Sequence, residues 1–366
     1  MLSPDPLVML CRRWCAEAPV EIQPLGIPGF SGSQVFRIER CDTGEQFVLK
    51  SFPASASVEH ALWVHHLVRH LRAEGMREVP EVMDPLVGDT VVADASGGLW
   101  ELTRLMPGVA VPRPTPLQAA AAAARLARFH LAASRLPADP SCEGFSPGLK
   151  RRIAQARDLR DLPWRVRRGR LSRTSDSRFH EQFTAALTAR FDAAIEIFAA
   201  AGGPALIANF ATMNPVCSVL QAVLRDVWCD HVLFADYDAA DVTAIIDLHA
   251  AGVDTPATDL ARLLGSWAAP AGREQLTLFD RWPEAIVAYT QIRPLSAEER
   301  GLIPLLHTTG VILGLDNWFR WTLEERREFS DASRVLARID SLLQELQPAV
   351  ASLSAGAKMI GLKNVD

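Results

Sequence analysis

Three side chains between positions 223 and 254 have the types and spacing that phosphoryl transfer needs. Asp226 follows a short apolar run, His231 stands five positions later, and Asp247 follows a second apolar run, VTAII. Phosphoryl transfer requires a group that orients the attacking hydroxyl and accepts its proton, and ligands for the metal ion that neutralises the phosphates. The pattern predicts Asp226 as the catalytic base and Asp247 as a metal ligand.

Each carboxylate also has a simpler interpretation. An Asp after a strand can cap a turn, which would account for Asp226 alone. Asp247 ends an apolar strand, so its desolvation must be compensated, either by a divalent cation or by a salt bridge. Arg225 is close enough in sequence to supply that salt bridge. The presence of Asp226 and Asp247 together favours chemistry over two separate structural roles.

The sequence around these residues resembles the aminoglycoside phosphotransferase and choline kinase family, small-molecule relatives of the protein kinases. That family carries H-G-D-x-x-x-x-N before an apolar strand ending in I-D-[FW], and this chain has L-R-D at 224–226, His231, and I-I-D at 245–247. The family patterns L-x-x-L-H and G-D-P-x-x-D-L-A are echoed by LARFH at 126–130 and VDTPATDLA at 253–261. The resemblance covers roughly residues 20–325. It implies a kinase-like fold and ATP-dependent phosphorylation of a small-molecule hydroxyl, with His130 and Asp259 as structural braces.

The main departure from the family pattern is His231, which stands where the family has Asn. Magnesium prefers hard oxygen ligands, whereas imidazole suits softer transition metals. Three interpretations follow: His231 binds a metal of altered preference, the adjacent Asp230 supplies the oxygen ligand, or the position no longer binds metal. Leu224 and Arg225 replace the family's His and Gly, which we expect to affect support of the loop.

A glycine-containing turn precedes the second predicted strand, and it includes Gly29, Ser31, Gly32 and Ser33. Its backbone N–H groups could approach nucleotide phosphates. A plain hairpin turn without a bound nucleotide would show the same sequence pattern. The nucleotide-binding interpretation gains weight because Lys50 follows at the spacing that the family uses.

Lys50 closes FVLK, an alternating strand pattern. The resemblance implies that its ammonium group contacts the α- and β-phosphates of ATP. A solvent-facing lysine is the simpler alternative. In the family this lysine pairs with a Glu on the helix of the first lobe, and Glu59 is the predicted partner, with Glu74 as the alternative.

Length and local patterns predict an α+β fold with two lobes. The chain has 366 residues, which exceeds what one hydrophobic core usually serves. Residues 1–105 read as a sheet-rich nucleotide-binding lobe with an N-terminal extension and one helix, Val58–Glu74. Residues 106–366 read as a helical lobe that carries the catalytic loop and the acceptor site. A hinge follows the strand WELTRL, near the Pro-Gly at 107–108.

Composition and charge restrict the partners. A net charge of −5 gives no reason to expect nucleic acid. We expect no membrane association and a cytoplasmic location, because no signal peptide or membrane-spanning segment is evident. The six cysteines show no regular framework and predict free thiols. The expected ligands are ATP with Mg²⁺, or Mn²⁺, and a small-molecule hydroxyl acceptor.

The acceptor itself is not predicted by any motif. The stretch 150–173 has ten Lys or Arg against two Asp, and it would favour an anionic acceptor if it lined the cleft, although a solvated helix is the simpler interpretation. The aromatic and acidic cluster at 316–321 reads as core packing or as part of an acceptor pocket. Leu224 and His231 keep a second hypothesis open, a catalytically degenerate kinase-like protein that binds a nucleotide or a partner.

Overall fold

A computed structural model describes residues 6–26, 32–136, 143–170, 178–214, 217–329 and 331–356. The chain forms two compact units. The first unit is Met1–Asp139 with Ala222–Gly252, and the second is Pro140–Gln221 with Val253–Asp366. The predicted lobe boundary between residues 105 and 106 separates a sheet-rich stretch of sequence from a mainly helical one, whereas each compact unit combines two separate stretches of the chain. The lobe boundary stays a prediction.

The first unit contains a five-stranded antiparallel sheet, preceded by helix α1 (Pro6–Cys15). Its strands lie in the order β1 (Val20–Pro24), β2 (Val35–Arg40), β3 (Gln46–Ser51), β5 (Leu99–Arg104) and β4 (Val92–Ala93). Alternation along the strands sends opposite side chains to opposite faces. One face of the sheet packs against α1. The buried cluster between them includes Leu10 and Trp14 from α1 and Ile38, Leu49 and Leu102 from the strands.

The other face of this sheet carries polar groups. Lys50 on β3 and Glu101 on β5 are register partners, as are their apolar neighbours Leu49 and Leu102. Residues directly opposite each other in an antiparallel pair project from the same face. The sheet therefore places an ammonium group and a carboxylate side by side, away from the apolar core.

Helix α2 (Val58–Ala73) begins at Ser57, whose hydroxyl accepts a hydrogen bond from the backbone N–H of His60. Such an N-cap satisfies one of the unpaired donors of the first turn. The helix buries an apolar stripe at helical spacing, and His65 lies within that buried stripe. The predicted helix Val58–Glu74 agrees with α2, whose last helical residue is Ala73 and whose C-cap is Glu74.

A second, three-stranded sheet of the first unit holds the loops with Asp226 and Asp247. Its order is β11 (Val242–Ile245), β10 (Val232–Phe234) and β6 (Val109–Ala110), all antiparallel. Val232 pairs with Ile245, so the chain just before β10 lies beside the chain just after β11. Helix α3 (Pro116–Ala133) begins with a capping box formed by Thr115 and Gln118.

The second unit is mainly helical. Its two short strands, β7 (Glu143–Phe145) and β8 (Cys217–Val219), are antiparallel. Strands β9 (Gln221–Val223) and β12 (Gly252–Asp254) lie where the chain passes from one unit to the other. Its helices are α4 (Pro147–Asp161), α5 (Trp164–Arg170), α6 (Arg178–Ala200), α7 (Gly203–Thr212), α8 (Ala257–Ser266), α9 (Leu278–Arg281), α10 (Pro283–Ile292), α11 (Ala297–Phe319) and α12 (Ala332–Gly356).

The predicted fold class is confirmed: a sheet-rich N-terminal region precedes a mainly helical C-terminal region. Five cysteines lie within the described ranges, and all five are free thiols there. In the same ranges no single helix is long and apolar enough to cross a membrane. One pair, Gln182–Ala200 with Gly203–Thr212, meets the length and composition criterion only as two segments bent by 77°.

Candidate active site

Asp226 follows a tight turn at the end of β9. Its backbone N–H donates to the carbonyl of Leu224 at 2.7 Å, and the intervening Arg225 has a φ of +62°. A positive φ is uncommon for a residue with a Cβ and costs energy that the surrounding structure must supply. The Asp226 carboxylate is half-buried and accepts a hydrogen bond from Nε1 of Trp228 at 2.7 Å. The turn and the indole together fix the direction of this carboxylate.

His231 ends a 3₁₀ turn, Cys229–His231, that connects Asp226 to β10. Its Nδ1 lies 2.8 Å from the backbone carbonyl of Asp226. A carbonyl oxygen can only accept, so Nδ1 carries the proton that makes this bond. In the neutral imidazole the lone pair is then on Nε2, which lies 3.7 Å from Oδ2 of Asp247. Asp230 is exposed, and its carboxylate accepts from the thiol of Cys229 at 3.0 Å.

Asp247 lies just beyond β11 in a left-handed backbone conformation, with φ and ψ both at +61°. Its Oδ1 lies 2.6 Å from Nζ of Lys50. Burial would raise the pKa of the Asp247 carboxyl, but the ammonium of Lys50 and the ring of His231 bring that pKa below its usual value. The carboxylate is therefore ionised, and its salt-bridge partner is Lys50 rather than Arg225.

The predicted phosphate-binding turn lies partly in the described chain. Gly32 has a φ of +76°, which glycine adopts without steric cost, and Ser33 is buried. The next residue, Gln34, exchanges hydrogen bonds with Ser51, one position beyond Lys50. Gly32 and Ser33 thus lie close in the chain to the strand end that carries Lys50. Gly29 and Ser31 lie outside the described residues.

Glu59 is not in contact with Lys50 in the described structure. It lies exposed in the first turn of α2, where its own backbone N–H and the hydroxyl of Ser57 lower the pKa of its carboxyl. The carboxylate that Lys50 meets is Asp247. The predicted alternative, Glu74, pairs with Arg135 at 2.7 Å.

A cluster that the sequence did not predict lies beside this site. The carboxylate of Glu101 accepts from Nε2 of His65 at 2.6 Å and from Nε2 of His249 at 2.7 Å, and Nδ1 of His65 meets the hydroxyl of Thr90 at 2.7 Å. The available signal was a Glu between Trp100 and Leu102, two apolar residues of the strand WELTRL. His65 and His249 belong to distant parts of the chain, so no local spacing connects them to Glu101.

Three residues of the family motifs are fully buried. Asp254 is fully buried in the second unit, where it accepts hydrogen bonds from Ser146 Oγ at 2.5 Å and from the backbone N–H of Gly148 at 2.9 Å. It thereby fixes the first turn of α4. The predicted braces His130 and Asp259 are both fully buried.

The basic stretch at 150–173 is largely engaged within the second unit. Arg167 bonds Asp316 and lies 2.6 Å from Glu324, and Arg168 lies 2.7 Å from Asp192. Asp316 also accepts from Nε1 of Trp164 at 2.8 Å. These contacts are internal, which favours a structural role for Arg167 and for the cluster around Asp316.

The donor set at the candidate site suits a metal that also binds other ligands. Within the described ranges, no three His, Cys, Asp or Glu side chains form a ready-made metal cage. When the ring of His231 is neutral, its Nε2 lone pair and the carboxylate of Asp247 provide two metal-binding groups 3.7 Å apart. A metal-ligating histidine commonly donates its other ring N–H to a backbone carbonyl, as Nδ1 of His231 does. This incomplete set fits an ion whose remaining ligands come from phosphate oxygens and water.

Comparisons with known proteins bear on the family and on the fold. The model of the phosphotransferase enzyme family APH matches residues 22–295. A homoserine kinase from Polaromonas naphthalenivorans (strain CJ2) is 27% identical over 276 residues, 72% of each chain. An aminoglycoside phosphotransferase from Alicyclobacillus acidocaldarius subsp. acidocaldarius has a TM-score of 0.58 at 16% identity, covering 94% of this chain and 95% of its own. Amicoumacin kinase hAmiN, solved with AMP-PNP, Ca²⁺ and Ami, has a TM-score of 0.61 at 14% identity, covering 95% of each chain.

The family match spans most of the chain, including Lys50, Asp226 and Asp247. The two structural likenesses, each below 25% identity, support the kinase-like fold. The predicted family is therefore confirmed: this chain belongs to the phosphotransferase enzyme family APH.

Proposed function

We propose that this protein transfers the γ-phosphoryl group of ATP to a hydroxyl of a small molecule. The observation that carries the proposal is the grouping of Lys50, His231 and Asp247 within contact distance, next to the loop that fixes Asp226. A phosphate-binding cation, metal ligands and a base that orients the acceptor are the groups that this reaction requires.

Each residue has one role in this proposal. Lys50 binds the α- and β-phosphates of ATP, and the turn containing Gly29, Ser31, Gly32 and Ser33 offers N–H groups to phosphate oxygens. Asp226 orients the acceptor hydroxyl and takes its proton as the new bond to phosphorus forms. Glu59 stays a predicted member of the nucleotide site, and its exposed position argues for a minor role.

Asp247 and Nε2 of His231 are the proposed metal ligands, and they are preferred to Asp230 because its exposed carboxylate bonds to Cys229 instead. A bound divalent ion would neutralise charge on the transferred phosphate. Mg²⁺ is the first candidate. Mn²⁺ is the second, since an imidazole ligand suits it better than Mg²⁺.

The acceptor class is proposed from the curated relative. Because a homoserine kinase is 27% identical over 72% of this chain, a hydroxy amino acid such as L-homoserine is the first acceptor to test. The proposed location is the cytoplasm, where ATP is available. The degenerate alternative, motivated by Leu224 and His231, is opposed by the retention of Lys50, Asp226 and Asp247.

The test supplies the purified protein with ATP, either Mg²⁺ or Mn²⁺, and a panel of hydroxyl acceptors: L-homoserine, choline and an aminoglycoside. A phosphorylated acceptor and ADP, measured by mass spectrometry, are the expected products. The negative control is Lys50→Met, and Lys150→Met is its matched control, because Lys150 lies in the second unit over the ring of Phe145. Absent products together with metal-independent or absent ATP binding would support the degenerate alternative.

A further inference from the structure

Glu101 is a carboxylate buried within the first unit. Its side chain is 10% exposed, and it lies between the side chains of His65 and His249, which are 2% and 9% exposed. Burying an ionised carboxylate is costly unless hydrogen bonds and opposite charge compensate it. Burial alone would raise the pKa of Glu101, but the two histidines overcome this effect and bring the pKa below its ordinary value.

His249, in the turn that follows Asp247, is held by three contacts with other parts of the first unit. Nε2 of His249 donates to Glu101, and Nε2 of His60 donates to the backbone carbonyl of His249 at 2.9 Å. The ring of Phe52 stacks on the ring of His249 with centroids 4.2 Å apart. His249 lies two positions after Asp247, which itself has a left-handed backbone. The position of Asp247 therefore depends on groups from β5 and α2.

The link between α2 and the candidate site also follows an unexpected route. Lys50 and Glu101 are direct neighbours across β3 and β5, yet Lys50 bonds to Asp247 while Glu101 bonds to the two histidines. Helix α2 thus reaches the turn directly through His60 and indirectly through His65 and Glu101. A Glu59–Lys50 pair is not part of this link. A strained residue such as Asp247 stays in place only where its surroundings fix it.

We propose that Glu101, clamped between His65 and His249, is a positioning residue that holds Asp247 in place for Lys50 and for the metal–nucleotide. This inference rests on the proposed function for its catalytic meaning, but the contacts themselves can be tested without nucleotide. Supporting groups of this kind typically change metal affinity or activity by about 10–100-fold when they are removed.

The experiment compares Glu101→Gln and His65→Leu with the native protein and with His70→Gln. His70 is the matched control, since it lies on the same helix and, among the described residues, its ring bonds the backbone carbonyl of Ala132, at 2.9 Å, and no carboxylate. One readout is the rate at which an amine-reactive acetylating reagent labels Lys50, with Lys150 as internal reference. The other is the affinity for AMP-PNP, measured by calorimetry with and without Mg²⁺.

The proposal predicts that Lys50 labelling rises about three- to tenfold in Glu101→Gln and in His65→Leu, because the Lys50–Asp247 pair loosens. The gain in AMP-PNP affinity produced by Mg²⁺ should fall roughly 10–100-fold, while metal-free affinity is retained. His70→Gln should change neither readout. If Glu101→Gln does not fold, the two readouts from His65→Leu test the proposal by themselves, because this variant leaves both Glu101 and Lys50 in place.

Two results would overturn the proposal. Faster labelling of Lys50 in Glu101→Gln alone would mean that Glu101 acts on its cross-strand neighbour by charge and not through the clamp. Equal increases at Lys50 and Lys150 would mean general loosening of the fold. If the native protein shows no Mg²⁺-dependent binding of AMP-PNP, the proposed function fails, and the labelling rates still decide whether the clamp positions Asp247.

Discussion

The ammonium group of Lys50 lies 2.6 Å from a carboxylate oxygen of Asp247, although 197 positions separate the two residues. Their side chains are 14% and 39% exposed, so the pair is partly shielded from water. Lys50 neutralises the carboxylate in the absence of a nucleotide, and it is free to exchange this partner for phosphate oxygens. The pair therefore places a cation beside the carboxylate that we propose as a metal ligand.

The two members of this pair should contribute differently to nucleotide binding. Lys50→Met should weaken AMP-PNP binding about 10–100-fold with or without Mg²⁺, because the ammonium contacts phosphate directly. Asp247→Asn should remove only the gain in affinity that Mg²⁺ provides. Calorimetry with and without the metal separates these effects, and Lys150→Met is the control for loss of a lysine. Identical losses in both variants would contradict the separate roles.

Trp228 is expected to hold the catalytic carboxylate in position. Trp228→Phe removes the N–H that donates to Oδ1 of Asp226, so we expect kcat to fall about tenfold with KM for ATP unchanged. The matched control is Trp14→Phe, which removes an indole hydrogen bond to the carbonyl of Met83, at 3.2 Å, in the same unit. Steady-state kinetics on both variants provide the comparison. A kcat that falls equally in the two variants would argue against a role specific to Trp228.

Gly108, in the predicted hinge, should be intolerant of any side chain. Its φ is +122°, and a Cβ would lie 2.6 Å from the backbone carbonyl oxygen of Phe234. Gly108→Ala should lower the free energy of unfolding by about 2–5 kcal/mol through strain and overpacking. Gly88→Ala, with a φ of +93° and nothing within 4 Å of its Cβ, should cost only about 1–2 kcal/mol. Chemical denaturation measures both, and equal costs would show that the clash at Gly108 relaxes freely.

The turn before β5 should contribute stability that depends on acid pH. The hydroxyl of Ser96 and the indole of Trp100, with two backbone N–H groups, lower the pKa of Asp94 from 3.8 to about 2. A depressed folded-state pKa stabilises the protein above the unfolded-state value and loses that effect as pH falls through the folded-state value. Because Asp94 is partly exposed and water screens its contacts, the advantage of the native protein over Asp94→Asn should be only about 1 kcal/mol near neutral pH. Denaturation curves should show it declining below pH 4 and vanishing near pH 2, whereas a difference independent of pH would contradict this account.

The parts of the site that sequence predicted are those that local spacing reveals. Asp226 and Asp247 each follow a short apolar run, and Lys50 ends an alternating strand pattern. Their types and neighbours were therefore enough to single them out as candidate site residues. The pairing of Lys50 with Asp247 depends on how β3 and β11 are brought together, and no local pattern encodes it. Sequence offered Arg225 as the salt-bridge partner of Asp247, but the described partner is Lys50.

Long-range polar packing accounts for what sequence did not predict. The Glu101 clamp joins three distant segments, and each of its residues looks ordinary in its own surroundings. The start of helix α2 was predicted closely, since its N-cap residue Ser57 is a type that favours this position.

The measurement that tests the central proposal most directly is transfer of radiolabelled γ-phosphate from ATP to the acceptor panel, comparing the native protein with Asp226→Asn. Asn keeps the oxygen that accepts from Trp228 but removes the base, so the loop should be preserved. The proposal predicts metal-dependent transfer by the native protein and a fall in kcat of roughly 10²–10⁴-fold in Asp226→Asn, with nucleotide affinity retained. Transfer that is equally fast in Asp226→Asn would contradict the assignment of Asp226 as the base. No transfer to any acceptor, with ATP binding absent or indifferent to metal, would contradict the phosphotransferase proposal itself.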